Sequence, residues 1–472
     1  MRLVLEFIGF FCYIFSLLMY KLYKKPIVKV SPDINVPEPK VSGFVVFLIR
    51  LLGRIYLFLY FGVANIVLRK DKILFDAFKR ALAGESRCII AFRHPNGGEP
   101  QTLTWFFLFR LRALAARKGV RFNRWPHAVF VYGYEVMRWG GWVARFVMPN
   151  VGAMPVYHSK MDVKVMNRIY RYMLNGPYPI ALAPEGQVTY NADSVPRLEP
   201  GAIRIGMHAA QHFAEKNVNC SVEILPLSIH FRFGSWGKIT IERLIRHIEK
   251  YCGSLSGAGK LPVEERLRRC RDYVLELNEG RYKIKSGASL SFEERIEKVA
   301  NAALETAERM LGIKSEGDFF FRLYKVRQIC WDKIFLPGVN SLKDMARVKR
   351  SMKDIEAGEA WYIARHQELA DFCWFFKSPI PTEKTPLHNM IEYVQNLWDF
   401  TNRTMGGAIK NRISIFPRKV IIHSAPVINM SERLCEYKKD KKDKKAVIDS
   451  ILSELKKAYL DSIDDMNSTE KG

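Results

Sequence analysis

Arg93-His94-Pro95-Asn96-Gly97-Gly98-Glu99-Pro100 is the stretch that decides the fold. The apolar run Cys88-Ile89-Ile90-Ala91-Phe92 leads straight into it. That run is short, partly β-branched and stopped by breakers, which predicts a buried strand. Pro-Asn-Gly-Gly then predicts a turn. Glu99-Pro100 opens an unbroken apolar segment, Thr102 to Leu111, and an acid with a proline in the first turn suits a helix start. His94 is thus expected at a strand tip and Glu99 where the next helix begins, within reach of each other across the turn. An imidazole held by a carboxylate is a general base: the acid fixes the tautomer and stabilises the imidazolium that forms.

The spacing by itself is weak evidence. With ten histidines, about one His-x-x-x-x-acid match is expected by chance. A second match, His366 to Asp371, lies in the helical-looking region Glu356 to Phe376. Five positions along a helix place side chains about 140° apart, so that pair is not expected to meet. The strand–turn–helix context is what separates His94 from it, and a solvated loop histidine is the competing reading there.

Working outward, the strand candidates are Cys88–Phe92, Ala128–Tyr132, Ile180–Ala183, Glu223–Phe231 and Lys419–His423, with helices at Lys160–Leu174 and Pro200–Glu215 between them. This rhythm predicts an α/β fold, a sheet with helices packed on it, whose ligand site collects at strand ends. Pro184-Glu185-Gly186 occupies a second such position. From about Gly237 to Asn411 strand signals fade, and Leu261–Leu277, Phe292–Leu311, Ser341–Lys353 and Met390–Arg403 read as amphipathic helices. The stripe Ile296, Val299, Ala300, Ala303, Leu304, Ala307 and Leu311, ended by Gly312, is the clearest of them.

At the N-terminus Leu3 to Tyr20 is apolar with Glu6 its one charge, and Lys21, Lys24 and Lys25 follow. The charge asymmetry predicts a retained anchor with its C-terminal side in the cytoplasm; a secretory signal peptide is the rival, opposed by charge after the run and no cleavage site. Ser31 to Pro39 reads as a linker. Phe44 to Leu68 is apolar but carries Arg50 and Arg54 on one helical face. An interfacial helix with cations toward lipid headgroups and a core helix with snorkelling arginines both fit. The division expected is 1–40 anchor and linker, 41–236 core with an interfacial helix at its start, 237–411 helical insertion, 412–430 return to the sheet and 431–472 basic helical tail. In that tail Val447, Ile448, Ile451, Leu452, Leu455 and Tyr459 share a face, after a lysine run from Lys438 to Lys445 that reads as a solvated link or an electrostatic membrane contact.

Composition bounds the function. The chain has 472 residues, 48% hydrophobic and 26% charged, which is globular, and its net charge of +26 implies attraction to a polyanion. Eight scattered cysteines form neither a C-x-x-C nor a disulfide framework, as suits a reducing compartment. P-loop, G-x-G-x-x-G, G-x-S-x-G and H-E-x-x-H motifs are lacking, which removes the commonest nucleotide, serine-hydrolase and zinc-protease readings. The glycine–aromatic signatures of RNA binding and zinc fingers are lacking too, so no nucleic acid is expected despite the charge.

Taken in order, His94…Glu99, Gly152-Ala153-Met154-Pro155-Val156-Tyr157-His158, Pro184-Glu185-Gly186-Gln187-Val188-Thr189 and Ile224-Leu225-Pro226-Leu227 resemble the four blocks of the lysophospholipid and glycerol-phosphate acyltransferase superfamily. The resemblance covers about Phe44 to Phe233, with a closing strand near Val420–Pro426. It implies an acyltransferase-like mixed sheet flanked by helices; with the N-terminal membrane helices and the large helical insertion read from the pattern, an insertion that matches no block of the family, this is the architecture expected. It also implies a membrane-associated O-acyltransferase moving an acyl group from acyl-CoA or acyl carrier protein to a hydroxyl of a glycerolipid or lysophospholipid; the charge asymmetry after Leu3–Tyr20 puts its catalytic domain on the cytoplasmic side. No metal or other cofactor is implied. His94 matches the base and Glu99 the acid that orients it. Glu185 and Gly186, with Gln187 and Thr189, match the acceptor-binding block, and Pro226 the structural proline. Three departures stand out. Glu99 replaces the commoner aspartate, His158 stands where an arginine contacts acceptor phosphate, and Gln187-Val188-Thr189 replaces Thr-Arg-Ser. A phosphate-bearing acceptor would then need a cation from Arg93, Lys160, Arg197 or Arg204. The lost arginines also motivate an alternative, a non-catalytic lipid-binding or scaffold protein on the same fold. For the oxyanion, backbone N–H groups of Asn96–Gly98 or of the helix start after them are the expected donors.

Overall fold

A computed structural model describes residues 28–157, 163–234, 236–253, 260–285, 290–409, 412–437 and 441–468. The apolar run Leu3–Tyr20, His158, Lys160 and the start of the lysine run lie outside them. The chain divides into two compact units: residues 36–232 with 418–472, and residues up to 35 with 233–417.

The first unit is mixed α/β. Its strands are β1 (Val63–Arg69), β2 (Ser86–Phe92), β3 (Val129–Gly133), β4 (Met154–Val156), β5 (Ile180–Leu182), β6 (Ser221–Phe233), β7 (Arg418–Ser424) and the short β8 (Ile428–Asn429). They form one sheet in the order β1-β7-β6-β2-β5-β3-β4, with β8 antiparallel on β6. Pairing is parallel from β6 to β4, with Ile90 opposite Leu225 and Ala181, Phe130 opposite Ala181, and Val131 opposite Met154. β1 and β7 are parallel to each other. Arg418, at the start of β7, lies over the Phe231 ring near the end of β6, while Ala425, just past β7, donates to Pro226 O. β7 therefore runs against β6, and the starts of β1 and β7 share an edge with the ends of β2, β3 and β5. The chemistry-bearing loops gather at this edge.

All five strand candidates are strands, and the helices expected at Lys160–Leu174 and Pro200–Glu215 appear as Val163–Asn175 and Gly201–Glu215. The run Phe44–Leu68 is a different matter. A helix covers Gly43–Phe61, Gly62 ends it at φ 66°, and the β-branched remainder becomes β1. Arg50 and Arg54 do share a face, but that face is turned inward and not toward headgroups. Arg54 donates to Val63 O and Ala64 O at 2.6 Å, and Arg50 donates to Leu108 O with its guanidinium 3.7 Å from the Trp125 ring centre. With its cations turned in, the helix exposes Phe44, Phe47, Leu51, Leu52, Ile55 and Leu59. It is long and apolar enough to cross a membrane.

The segment expected as a tail is instead core. Along Lys441–Ser468, Val447, Ile451, Leu455, Tyr459 and Ile463 are buried in one cluster with Ile203 and Met207 of the helix Gly201–Glu215 and with Ile89, Ile180 and Ile224 of the sheet. The apolar face was real, and an apolar face of that length must be covered.

The second unit is helical: Trp236–Tyr251, Val263–Arg281, Phe292–Leu311, Phe319–Ile334, Arg347–Phe375 and Leu387–Thr404. Ser291 and Glu294 form a capping box at the start of the third, whose predicted stripe is buried from Ile296 to Ala307. Ion pairs clip successive helices together: Arg266–Glu249, Arg295–Glu279, Arg322–Glu308 and Arg327–Asp371. Ser341–Lys353 is not a separate helix; the chain turns until Ala346 and then runs 29 helical residues to Phe375, with no breaker strong enough to stop it. The expected linker is pinned at its start, since Ser31–Pro32 pairs in parallel with Phe335–Leu336.

Candidate functional site

Two residues past the end of β2, the His94 Nδ1–H donates to Glu99 Oε2 at 2.8 Å. The turn that makes this possible needs its glycines. Gly97 sits at φ 110°, and a Cβ on Gly98 would lie 2.7 Å from the Phe61 ring. Glu99 opens the helix Glu99–Trp105, and its carboxylate folds back over the turn. Asn96 N–H donates to Oε1 and Gly97 N–H to Oε2, both at 2.7 Å. Burial pushes the Glu99 carboxyl up, but the His94 hydrogen bond and charge, with the Gly97 N–H, outweigh it and hold the group below the usual carboxylate range. Glu99 is wholly buried while the His94 side chain is 17% exposed, and Nε2 has no hydrogen bond among the described residues. The arrangement is a carboxylate fixed on one ring nitrogen and a free nitrogen facing outward.

This narrows one expectation. Asn96 and Gly97 N–H are committed to Glu99, so of the expected oxyanion donors Gly98 N–H and those of the helix start remain.

Arg93 is not a ligand contact either. It is buried, with Nε on Glu185 Oε1 at 2.9 Å and its other nitrogens on the carbonyls of Asn191, Ala192 and Ser194. Glu185, also buried, accepts in addition from the Thr189 hydroxyl at 2.8 Å and from His94 N–H at 3.3 Å, and Thr189 N–H donates to His94 O. Of the expected acceptor-binding residues, Glu185, Thr189 and Arg93 thus form a strut that seats the His94 backbone, because every polar group they carry toward the loop has an internal partner. Gly186, at φ 76°, turns the loop, and it and Gln187 are half-buried beside the strut. Arg197 and Arg204 are exposed.

Two residues outside the sequence motifs belong to the site. Arg418 Nη1 donates to Asn96 Oδ1 at 2.8 Å, which ties the turn to β7. Tyr459, on the C-terminal helix, donates its hydroxyl to Ala91 O at 2.9 Å, and burial raises its pKa so that it stays a donor. The sequence carried a signal for Tyr459, a hydroxyl on an otherwise apolar face, which needs a buried partner. Arg418 carried none beyond its place just before an apolar strand.

The chain matches no protein-family model and no curated protein.

Proposed function

We propose that this protein is a membrane-associated O-acyltransferase that moves a fatty acyl group from an acyl thioester, on coenzyme A or acyl carrier protein, to a hydroxyl of a glycerolipid or lysophospholipid. The observation that carries the reading is the dyad: a buried carboxylate 2.8 Å from His94 Nδ1, with the opposite nitrogen open. His94 Nε2 takes the acceptor hydroxyl proton as the oxygen attacks the thioester carbonyl. Glu99 holds the ring and offsets the charge it gains. The tetrahedral intermediate collapses, the C–S bond breaks, and His94 returns the proton to the leaving thiolate; ester and free thiol result. A thiolate leaves readily, so the protein need supply only a base, a position and donors for the oxyanion. Membrane association is supported by the outward apolar face of Gly43–Phe61, whose end packs at Gly98 beside the dyad. The lysines after Leu3–Tyr20 support a cytoplasmic placement of this domain.

The test is to reconstitute the full chain in lipid, supply acyl-CoA or acyl carrier protein thioesters with a panel of lysolipids, and follow free thiol together with the diacyl product. Acceptor-dependent thiol release is expected. Its absence with every donor and acceptor would leave the lipid-binding scaffold as the better reading, a reading that the acceptor block without its arginines favours.

A further inference from the structure

The helix Arg347–Phe375 begins outside the packed part of its unit. Val348, Met352, Ile355 and Tyr362 follow one another at i, i+4, i+7 and i+14 and are 75%, 59%, 64% and 51% exposed. That spacing puts them on one face, unbroken from Val348 to Ile355 and interrupted by the exposed Glu359 before Tyr362, and soluble surfaces seldom carry such an apolar stripe. Arg347 and Lys349 lie about 100° to either side of Val348. Arg350 and Lys343 are exposed nearby, against two exposed acids, Asp344 and, beyond Ile355, Glu359. None of the charged groups of these four cationic side chains has an ion pair or hydrogen bond among the described residues. Lys353 is paired with Glu356, and Asp354 accepts from Val30 N–H at 2.9 Å. An apolar stripe flanked by unpaired cations is the pattern of a helix that lies on an anionic surface.

That last bond says where the surface is. Residues 30–33 are strapped to this corner of the unit: Val30 to Asp354, Ser31–Pro32 to Phe335–Leu336, and Asp33 to Val339 O and Gly338 N–H. The apolar run Leu3–Tyr20 ends ten residues before Val30, and ten residues of chain reach at most about 35 Å. A chain anchored by that run keeps Val30, and with it the start of Arg347–Phe375, within that distance of the bilayer. Lys21, Lys24 and Lys25 lie between the two and carry the same sign of charge.

We propose that residues 347–355 dock on an anionic lipid surface, with Val348, Met352 and Ile355 entering the headgroup layer and Arg347, Lys349 and Arg350 contacting lipid phosphates and carboxylates. The proposal does not rest on the acyltransferase reading.

Amide hydrogen exchange tests it on the full chain, reconstituted in bilayer discs of phosphatidylcholine alone or of phosphatidylcholine with phosphatidylserine. Exchange across 347–355 is expected to be several-fold slower in the anionic discs. The combined variant Arg347→Gln, Lys349→Gln and Arg350→Gln should lose that slowing, as should Val348→Ser, Met352→Ser and Ile355→Ser. These side chains are exposed, so both variants should melt like the wild type. Equal exchange in the two kinds of disc would overturn the proposal. So would slowing that appears in detergent and grows with protein concentration, because the stripe would then belong to a contact with a second copy.

Discussion

Two stretches of this chain carry the same short pattern and do opposite things with it. Arg93-His94 is followed five residues after its histidine by Glu99, and Arg365-His366 is followed at the same distance by Asp371. At the end of β2 the backbone turns, so Glu99 folds back onto His94 and two N–H groups hold it there. Within the helix Arg347–Phe375 the two side chains leave on different faces. His366 bonds the Tyr282 hydroxyl at 2.8 Å, and Asp371 pairs with Arg327. The arginines diverge as well. Arg93 reaches across to Glu185 and fixes a loop, whereas Arg365 pairs with Glu368 on its own helix. Spacing in sequence therefore says little about chemistry until the backbone between the residues is known. The glycine turn, more than the histidine, is the informative part of the motif.

The largest test of that contrast is a pair of substitutions. His94→Ala should lower acyl transfer by about 100-fold or more, the usual contribution of a positioned base, while His366→Ala leaves turnover unchanged. Equal loss in both would erase the distinction. Next is the strut. Arg93→Met removes one partner of a buried ion pair and should destabilise the first unit by about 3–5 kcal/mol, measured by denaturant unfolding; a raised KM with unchanged stability would return Arg93 to a substrate-binding role. Arg418→Met sharpens the comparison from a distance. It frees Asn96, which in turn orients Glu99, and should reduce kcat about tenfold, or about 1.4 kcal/mol, with KM little changed. The smallest effect is a pH dependence that belongs to the helical region. Burial, helped by the charges of Arg281 and Arg309, lowers the His366 pKa to about 4. The folded chain therefore binds fewer protons there than the unfolded one, and stability falls as pH drops from about 6.5 toward 4. His366→Gln should flatten that part of the curve of unfolding midpoint against pH.

The sheet was legible wherever an apolar run met a breaker, as at Phe92, Ala183 and His423. β1 was hidden because Val63–Arg69 continues an apolar helix without a change of composition, and only the left-handed Gly62 separates them. Short apolar runs do not reveal their period. The dyad could be read because its parts are five residues apart. Its supports could not: Arg418 is 322 residues from Asn96, and Tyr459 is 368 from Ala91. Contacts at that separation leave no local pattern. The same limit turned Arg93, Glu185 and Thr189 into expected ligands when they hold one another.

A double-mutant cycle on thioester turnover tests the central claim most directly, with His94→Ala, Glu99→Gln and the two combined, all reconstituted in the same lipid. If the carboxylate acts only through the imidazole, the combined variant will be no slower than His94→Ala alone. Losses that multiply, or single variants that both keep wild-type turnover, would contradict it.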